Sequence, residues 1–305
     1  IATAKAFAEA DFDGNGVNDT IGMAVSKTPW DQLFTLKGFF NAFDSYPEIW
    51  VDDGTGKLVY GSTLPGTKDA LATLHQMYVD GLLDPEFAVK DDGKVAEATT
   101  SGKCGIMFGA QWNSIYPLQN SKNLEPEGQW QAFPIVTATD HKAKAQTDLG
   151  TTAWTVVRKD CEHPEAVVKM YNLFIDKCWG PNNENGVYYA PLDSESIWKL
   201  SPVTPTKPDK NLKAFLDLEA ARQSGDFSQV TGEGYSILQK LQAFESGSEE
   251  GFALWGWERI YGAEGAYGVL NYYKENNLTQ DMMFVGAPTE SMTLYMSYLK
   301  DLQNE

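Results

Sequence analysis

Short apolar runs of strand length alternate along this chain with longer stretches of helical periodicity. That alternation restricts the architecture more than any other property. Residues 67–80 (TKDALATLHQMYVD) carry apolar side chains at 71, 74, 77 and 78, one face of a helix, and Gly81 stands just past the end, where a C′ glycine closes a helix. Residues 104–108 (CGIMF) and Ala153–Val157 (AWTVV) read as buried strands. A helix is expected over 164–176, with Pro164 in its first turn and apolar residues at 167, 170, 171 and 174. Residues 211–222, 235–245 and 289–302 have helical patterns too, the last with Thr289 as N-cap. Residues 180–210, rich in Pro, Asn, Ser and Asp, read as a long irregular connection. Strands interleaved with helices place the chain in the α/β class, and no repeat of 20–50 residues interrupts that reading.

Composition narrows the partners. The 305 residues suggest two domains, and a formal net charge of −18 opposes binding to nucleic acid or to an anionic membrane surface. No apolar stretch is long enough to span a bilayer. Of the three cysteines, Cys161 and Cys178 flank the helix expected at 164–176. About 13 helical residues would hold them roughly 20 Å apart, beyond the reach of about 7 Å that a disulfide allows. The Ala-rich opening at Ile1 reads as the last turns of a helix already under way, so the chain is expected to be a fragment.

The loop DFDGNGVNDT has the spacing of a calcium site. Asp11, Asp13, Asn15, Val17 and Asp19 fall at loop positions 1, 3, 5, 7 and 9, with Val17 offering its backbone carbonyl and Gly16 at the sharp turn. Calcium takes six to eight oxygens, and alternate side chains here converge on one point. Position 12 is Gly22 rather than Glu, so another oxygen, from Thr20 or a neighbouring segment, must complete the shell. The expected role is structural, since a closed oxygen cage leaves no open position for chemistry. The competing reading is a solvated Asx-rich turn.

Enzyme signatures are missing. The chain contains no G-x-S-x-G, H-E-x-x-H or C-x-x-C motif. Gly54–Thr55–Gly56–Lys57 resembles the end of a phosphate loop, but Val51 stands where the first glycine is needed, and DDGTGKLVY reads better as a turn between strands. His75, His141 and His163 are scattered. Carboxylates are plentiful, so a glycosidase pair is not excluded by counting. The aromatic residues are more pointed. Trp112 follows the 104–108 run in GAQWN, Trp154 lies in the next expected strand, and Trp255 and Trp257 share a Gly-interrupted segment with Tyr261 and Tyr267. Such faces suit the C–H face of a sugar ring, with Gln111, Asn113, Glu258 and Arg259 as neighbours for the hydroxyls; the alternative is that each Trp is core.

Four phrases in order resemble the family 1 extracellular solute-binding proteins of bacterial ABC importers, closest to the large lipoprotein branch that includes alginate-binding proteins. They are DFDGNGVNDT, YVDGLLDPEFAV at 78–89, SGKCGIMFGAQW at 101–112 and AWTVVRKDCEHPEAVVKMYNLFID at 153–176. The resemblance implies a type II periplasmic-binding fold, two α/β lobes closing over a cleft. It implies Trp112 at that cleft as a sugar-stacking residue, 153–157 crossing the hinge, and a structural calcium in the acidic loop. Residues 1–150 would be mainly the C-terminal-type lobe and 151–250 a partial, mostly helical return to the other. Residues 251–305 would be a hinge crossing and return segment, and one lobe would be incomplete. The implied function is extracytoplasmic binding of an oligosaccharide or other small solute for delivery to the membrane subunits of an ABC transporter, by a monomeric cell-surface lipoprotein without enzymatic activity. The alternatives are a carbohydrate-active enzyme with an aromatic cleft and a calcium-stabilised surface adhesion module.

Overall fold

A computed structural model describes the chain except residues 12, 13, 18, 152, 182, 190, 192–195 and 305, and the side chains of Gln303 and Asn304. The first half opens with α1 (Ala2–Ala8) and α2 (Lys37–Asn41), followed by the antiparallel hairpin β1 (Trp50–Asp52) and β2 (Leu58–Tyr60). Its turn is the GTGK stretch. Asp52 accepts hydrogen bonds from the backbone N–H groups of Gly54 and Gly56 at 2.7 and 3.0 Å, which satisfies the loop internally. Then come α3 (Gly66–Val79), α4 (Asp92–Thr100) and α5 (Leu118–Leu124). The helix expected at 67–80 forms as α3, but its buried face is set by Ala70 and Met77, while Leu71 and Tyr78 of the expected apolar face are exposed; Gly81 follows its end with φ 72°, a conformation that glycine adopts without strain. Its buried face joins Ala4, Met23, Val25, Phe39, Phe40, Leu82 and Leu83 in one core.

The second half contains β3 (Ala145–Thr147), α6 (Glu165–Trp179), α7 (Asn185–Tyr188), α8 (Lys210–Ser224), α9 (Gly232–Glu245) and α10 (Glu249–Phe252). These are followed by α11 (Trp255–Tyr261), α12 (Ala266–Glu275), β4 (Thr279–Asp281) and α13 (Glu290–Asn304). The expected helices at 164–176, 211–222, 235–245 and 289–302 all form. Thr289 caps α13 as its hydroxyl accepts a hydrogen bond from Met292 N–H at 3.2 Å. A second core gathers Phe215 and Leu218 of α8, Ile237 and Leu241 of α9, Ile260 and Tyr261 of α11 and Tyr267 of α12. Aromatic rings run through it in near-parallel steps: Trp257 to Tyr261 at 6.1 Å, Tyr261 to Tyr267 at 5.0 Å, and Tyr267 to Phe215 at 6.2 Å between centroids.

Helix therefore predominates, and the α/β expectation rests on few strands. β3 pairs with β4 in parallel, Gln146 opposite Gln280, so the pair joins segments far apart in sequence. The buried Asn41 of α2 seats this pair. Its amide donates to Gln146 Oε1 at 2.9 Å and to the Ser45 carbonyl at 3.0 Å, and its Oδ1 accepts from Gln146 N–H at 3.1 Å.

Both strands expected from apolar runs need correction. Residues 104–108 form only an isolated parallel bridge, Ile21 with Cys104, although Ala24 N–H donates to the Ile106 carbonyl and Thr35 N–H to that of Phe108. Residues 153–157 join no ladder among the described residues, and Trp154 and Val156 are 82% and 87% exposed. A run of β-branched residues becomes a strand only when a partner backbone lies beside it. All three cysteines are free, Cys104 and Cys178 buried and Cys161 exposed. Burial pushes the Cys104 thiol up to about 12.

Leu218 is fully buried while Leu216 of the same helix is well exposed. Leu218→Ala is expected to lower unfolding free energy by about 2–5 kcal/mol and Leu216→Ala by about 0.5 kcal/mol or less, as urea denaturation will measure.

Candidate functional site

The site is built on two neighbouring elements. The first is a tight 3₁₀ turn, Gln111–Ser114, that follows the extended 104–110 segment. Trp112 is half-buried there, wedged between the second core and the cluster of Ala24, Leu33, Phe34 and Val95. Its indole N–H donates to Gln32 Oε1 at 2.9 Å, and Ala110 N–H donates to the Gln32 carbonyl at the same distance, so the 32–110 contact fixes the ring. The next residue, Asn113, is 4% exposed, yet neither its amide nitrogen nor its oxygen has a hydrogen-bond partner. A buried amide left unpaired costs about 1–3 kcal/mol, and such a group calls for a function.

The second element is α11. Its Gly256 lies directly against the 3₁₀ turn, where an added Cβ would come within 2.6 Å of the Ser114 carbonyl oxygen. Ser114 Oγ donates to the Gly256 carbonyl at 2.9 Å, and Gly256 N–H donates to Gln119 Oε1 at 2.8 Å. The close approach sets the turn that carries Trp112 and Asn113 against the helix that carries Trp257, Glu258 and Arg259, and both indoles pack on the second core. Arg259 pairs with Glu258 at 2.5 Å and donates to Gln131 Oε1 at 3.3 Å. Trp257 is part-exposed, with the ammonium of Lys240 4.7 Å from its ring centroid. Burial holds the Lys240 amine below its usual range. Gln111 and Asn211 both reach the hydroxyl of Tyr267, whose pKa burial raises to about 12.

Two of the residues read from sequence stand elsewhere. Trp255 is 2% exposed and among the largest fully buried side chains, so it is a core residue and presents no face to a ligand. Trp154 stands on the exposed 153–157 segment and is not brought to this surface. Two residues that sequence reading missed belong to the site. Gln32 lies in a polar TPWDQ stretch with no signal of its own, and Lys240 sits on α9, where only the fold reveals its neighbour Trp257.

The acidic loop lies apart from this surface. Asp13 falls outside the described residues. Asp11 accepts from Asn15 and Gly16 N–H at 3.1 and 2.7 Å, and Asn15 Oδ1 accepts from Val17 N–H at 2.6 Å. The Asn15 amide donates to Asp19 Oδ1 at 3.3 Å, and Val17 O accepts from Asp19 N–H at 3.0 Å. Lys103 pairs with Asp19 and holds its carboxyl below the usual range. Among the described residues no group of three His, Cys, Asp or Glu is arranged to hold a metal. The donors are nonetheless all hard oxygens, and Thr20 is buried with its hydroxyl unpaired. An orphaned oxygen next to Asp19 fits a cation that needs one more ligand. A cavity of about 920 Å³ opens beside this loop, lined by Lys5, Asp19, Thr20, Tyr78, Asp84 and Lys103. The histidines form no catalytic constellation: exposed His141 pairs with Asp44 at 2.8 Å, and exposed His163 lies 3.6 Å from Glu165.

Comparison with known proteins agrees with the order of phrases along the chain. A family model described as bacterial extracellular solute-binding protein matches residues 4–177, more than half of the sequence. The chain belongs to this family. The lipoprotein LipO of Bacillus subtilis is 37% identical over 184 residues, 57% of this chain and 34% of LipO. The polygalacturonan/rhamnogalacturonan-binding protein YtcQ of the same organism is 29% identical over 115 residues, 37% of this chain and 22% of YtcQ. The matches thus span about a third and about a fifth of these relatives. Membership implies a periplasmic-binding-protein-like fold, with which the mixed helical architecture is compatible. It also points to an extracytoplasmic location, and no described helix is long and apolar enough to cross a membrane.

Gly256→Ala is expected to destabilise the protein by about 1–3 kcal/mol, because the new methyl group meets backbone rather than a yielding side chain. Thermal denaturation will measure the loss, and a change in tryptophan fluorescence should accompany it.

Proposed function

We propose that this protein binds an oligosaccharide outside the cytoplasm and surrenders it unaltered to the membrane subunits of an ABC transporter. The observation that carries this reading is the pairing of Trp112 with Asn113. A half-exposed indole is fixed by Gln32, beside a buried amide whose donor and acceptor are both unspent. A pyranose offers the matching chemistry, since its C–H face packs on an aromatic ring while its hydroxyls both donate and accept. The relative whose name records binding of polygalacturonan and rhamnogalacturonan supports a saccharide as the solute. The Glu258–Arg259 pair at the margin offers a carboxylate and a guanidinium that can each exchange a mutual contact for a sugar hydroxyl.

The reading extends to architecture. Two lobes close over a cleft, residues 1–150 contribute mainly to one, 151–250 return in part to the other, and 251–305 cross back. Binding favours the closed state because only there does the ligand meet both lobes. The protein works as a monomer held at the cell surface as a lipoprotein, and no bond in the solute is broken. The acidic loop takes a structural calcium through Asp11, Asp13, Asn15, Asp19 and the Val17 carbonyl, and Thr20 is the added oxygen. Bound calcium would supply cross-linking of the loop and take no part in solute chemistry.

Calorimetric titration with a panel of oligosaccharides tests the main reading. Trp112→Ala is expected to weaken the binding found by about 1–3 kcal/mol, and the saccharide should be recovered intact. Unchanged affinity would remove Trp112 from the site, and cleaved product would replace the binder with an enzyme. Chelation of calcium is expected to lower the melting temperature while saccharide recognition persists; an unmoved melting curve counts against the metal.

A further inference from the structure

An ion pair joins the acidic loop to the segment that leads to the candidate site. Asp19, at the ninth position of the loop, is held by Lys103, 84 residues further along the chain. The backbone around this pair is fastened independently of it. Ile21 N–H donates to the Lys103 carbonyl at 2.9 Å, Ile21 bridges Cys104 in parallel, and Ala24 N–H donates to the Ile106 carbonyl at 2.8 Å. Only side chains need to move for the two charges to part, and both are partly exposed, 35% for Lys103 and 34% for Asp19. Lys90, which lines the same cavity, is instead paired within its own stretch of chain, with Asp84 at 2.6 Å and Glu86 at 3.2 Å. The Lys103 contact leaves Thr20 unserved: that residue is 5% exposed, lines the cavity, and its hydroxyl has no partner. An ammonium has three donors to offer, whereas a calcium ion gathers six to eight oxygens around itself.

We propose that Lys103 is the loop's internal cation: its ammonium occupies Asp19 until calcium displaces it, so the loop has a lysine-held state and a calcium-held state. This rests on the calcium reading above and adds to it the residue that sets the affinity. Both oxygens of Asp19 are engaged without the metal, Oδ2 by Lys103 and Oδ1 by the Asn15 amide. A doubly charged ion and an ammonium on one carboxylate repel each other, so arrival of the first drives departure of the second. The cavity of about 920 Å³ beside the loop gives the displaced ammonium room, and Glu9, Asp80 and Glu86 line it. Lys103 thus does for the metal-free loop what calcium does for the loaded one. It neutralises Asp19 and ties the loop to the segment that begins at Lys103. The loop stays folded when calcium is scarce, and calcium binds more weakly than the loop's oxygens alone would hold it, because a resident cation must leave first.

Calorimetric titration of calcium chloride into the calcium-stripped protein, with melting curves at zero and saturating calcium, tests this on the wild type, Lys103→Met, Lys103→Gln and Lys90→Met. Lys103→Met is expected to bind calcium about tenfold or more tightly than the wild type. It should melt lower than the wild type without the metal and gain more in melting temperature when saturated with it. Lys103→Gln should behave alike, which preserves the test if methionine impairs folding. Lys90→Met removes an equal charge from the same cavity and should leave the affinity within about twofold. Equal or weaker calcium binding by both Lys103 variants overturns the competition and leaves the calcium reading standing. A gain that Lys90→Met matches assigns the effect to overall charge and overturns the competition too. Absence of calcium binding in the wild type and in both Lys103 variants overturns the competition and the calcium reading together.

Discussion

The contact on which the candidate site depends is backbone against backbone. Gly256 lies so close to the Ser114 carbonyl that no side chain fits between them, and two hydrogen bonds from Ser114 and to Gln119 fasten the contact. Because peptide groups meet here without intervening rotamers, the 3₁₀ turn and α11 hold a defined relation. Such rigidity is what a recognition surface needs, since groups ordered before binding cost less entropy when the ligand arrives. Trp112, Asn113, Trp257 and the Glu258–Arg259 pair all take their positions from that contact.

Buried amides act in two opposite ways in this fold. Asn41 and Gln146 satisfy one another and neighbouring carbonyls, and so tie the parallel β3–β4 pair to α2. Each group has a partner, and the network contributes to specificity of packing. Asn113 is equally buried, and neither polar atom of its side chain has a partner. The first arrangement is architecture. The second leaves a buried donor and acceptor unsatisfied beside Trp112.

Charge follows the same division. The excess of carboxylates keeps the surface strongly negative, which favours solubility and discourages association with phosphate polymers. Within it Lys210, Lys90 and Lys103 are each spent on a neighbouring carboxylate. Lys240 instead rests on the Trp257 ring, with Glu233 acting on it from two turns earlier in α9. Net charge therefore describes the protein's encounter with large polyanions rather than the surroundings of any one cation.

The amino-acid sequence by itself determined the local elements: the helices around 67–80, 164–176, 211–222, 235–245 and 289–302, their Gly81 and Thr289 boundaries, and the Asp52-centred turn at GTGK. Each follows from interactions within a few residues, namely apolar periodicity, a cap, or an Asx contact. The order of phrases also carried the family. What only the tertiary structure decided is which faces meet. Residues 104–108 and 153–157 had the composition of strands, but a ladder needs a partner brought from elsewhere in the chain. Trp255 and Trp257 lie about 200° apart around one helix, so one is sealed inside and the other is only part-buried at the edge of the second core, and neither residue type announces which. Gln32 and Lys240 became site residues only because folding set them against indoles distant in sequence.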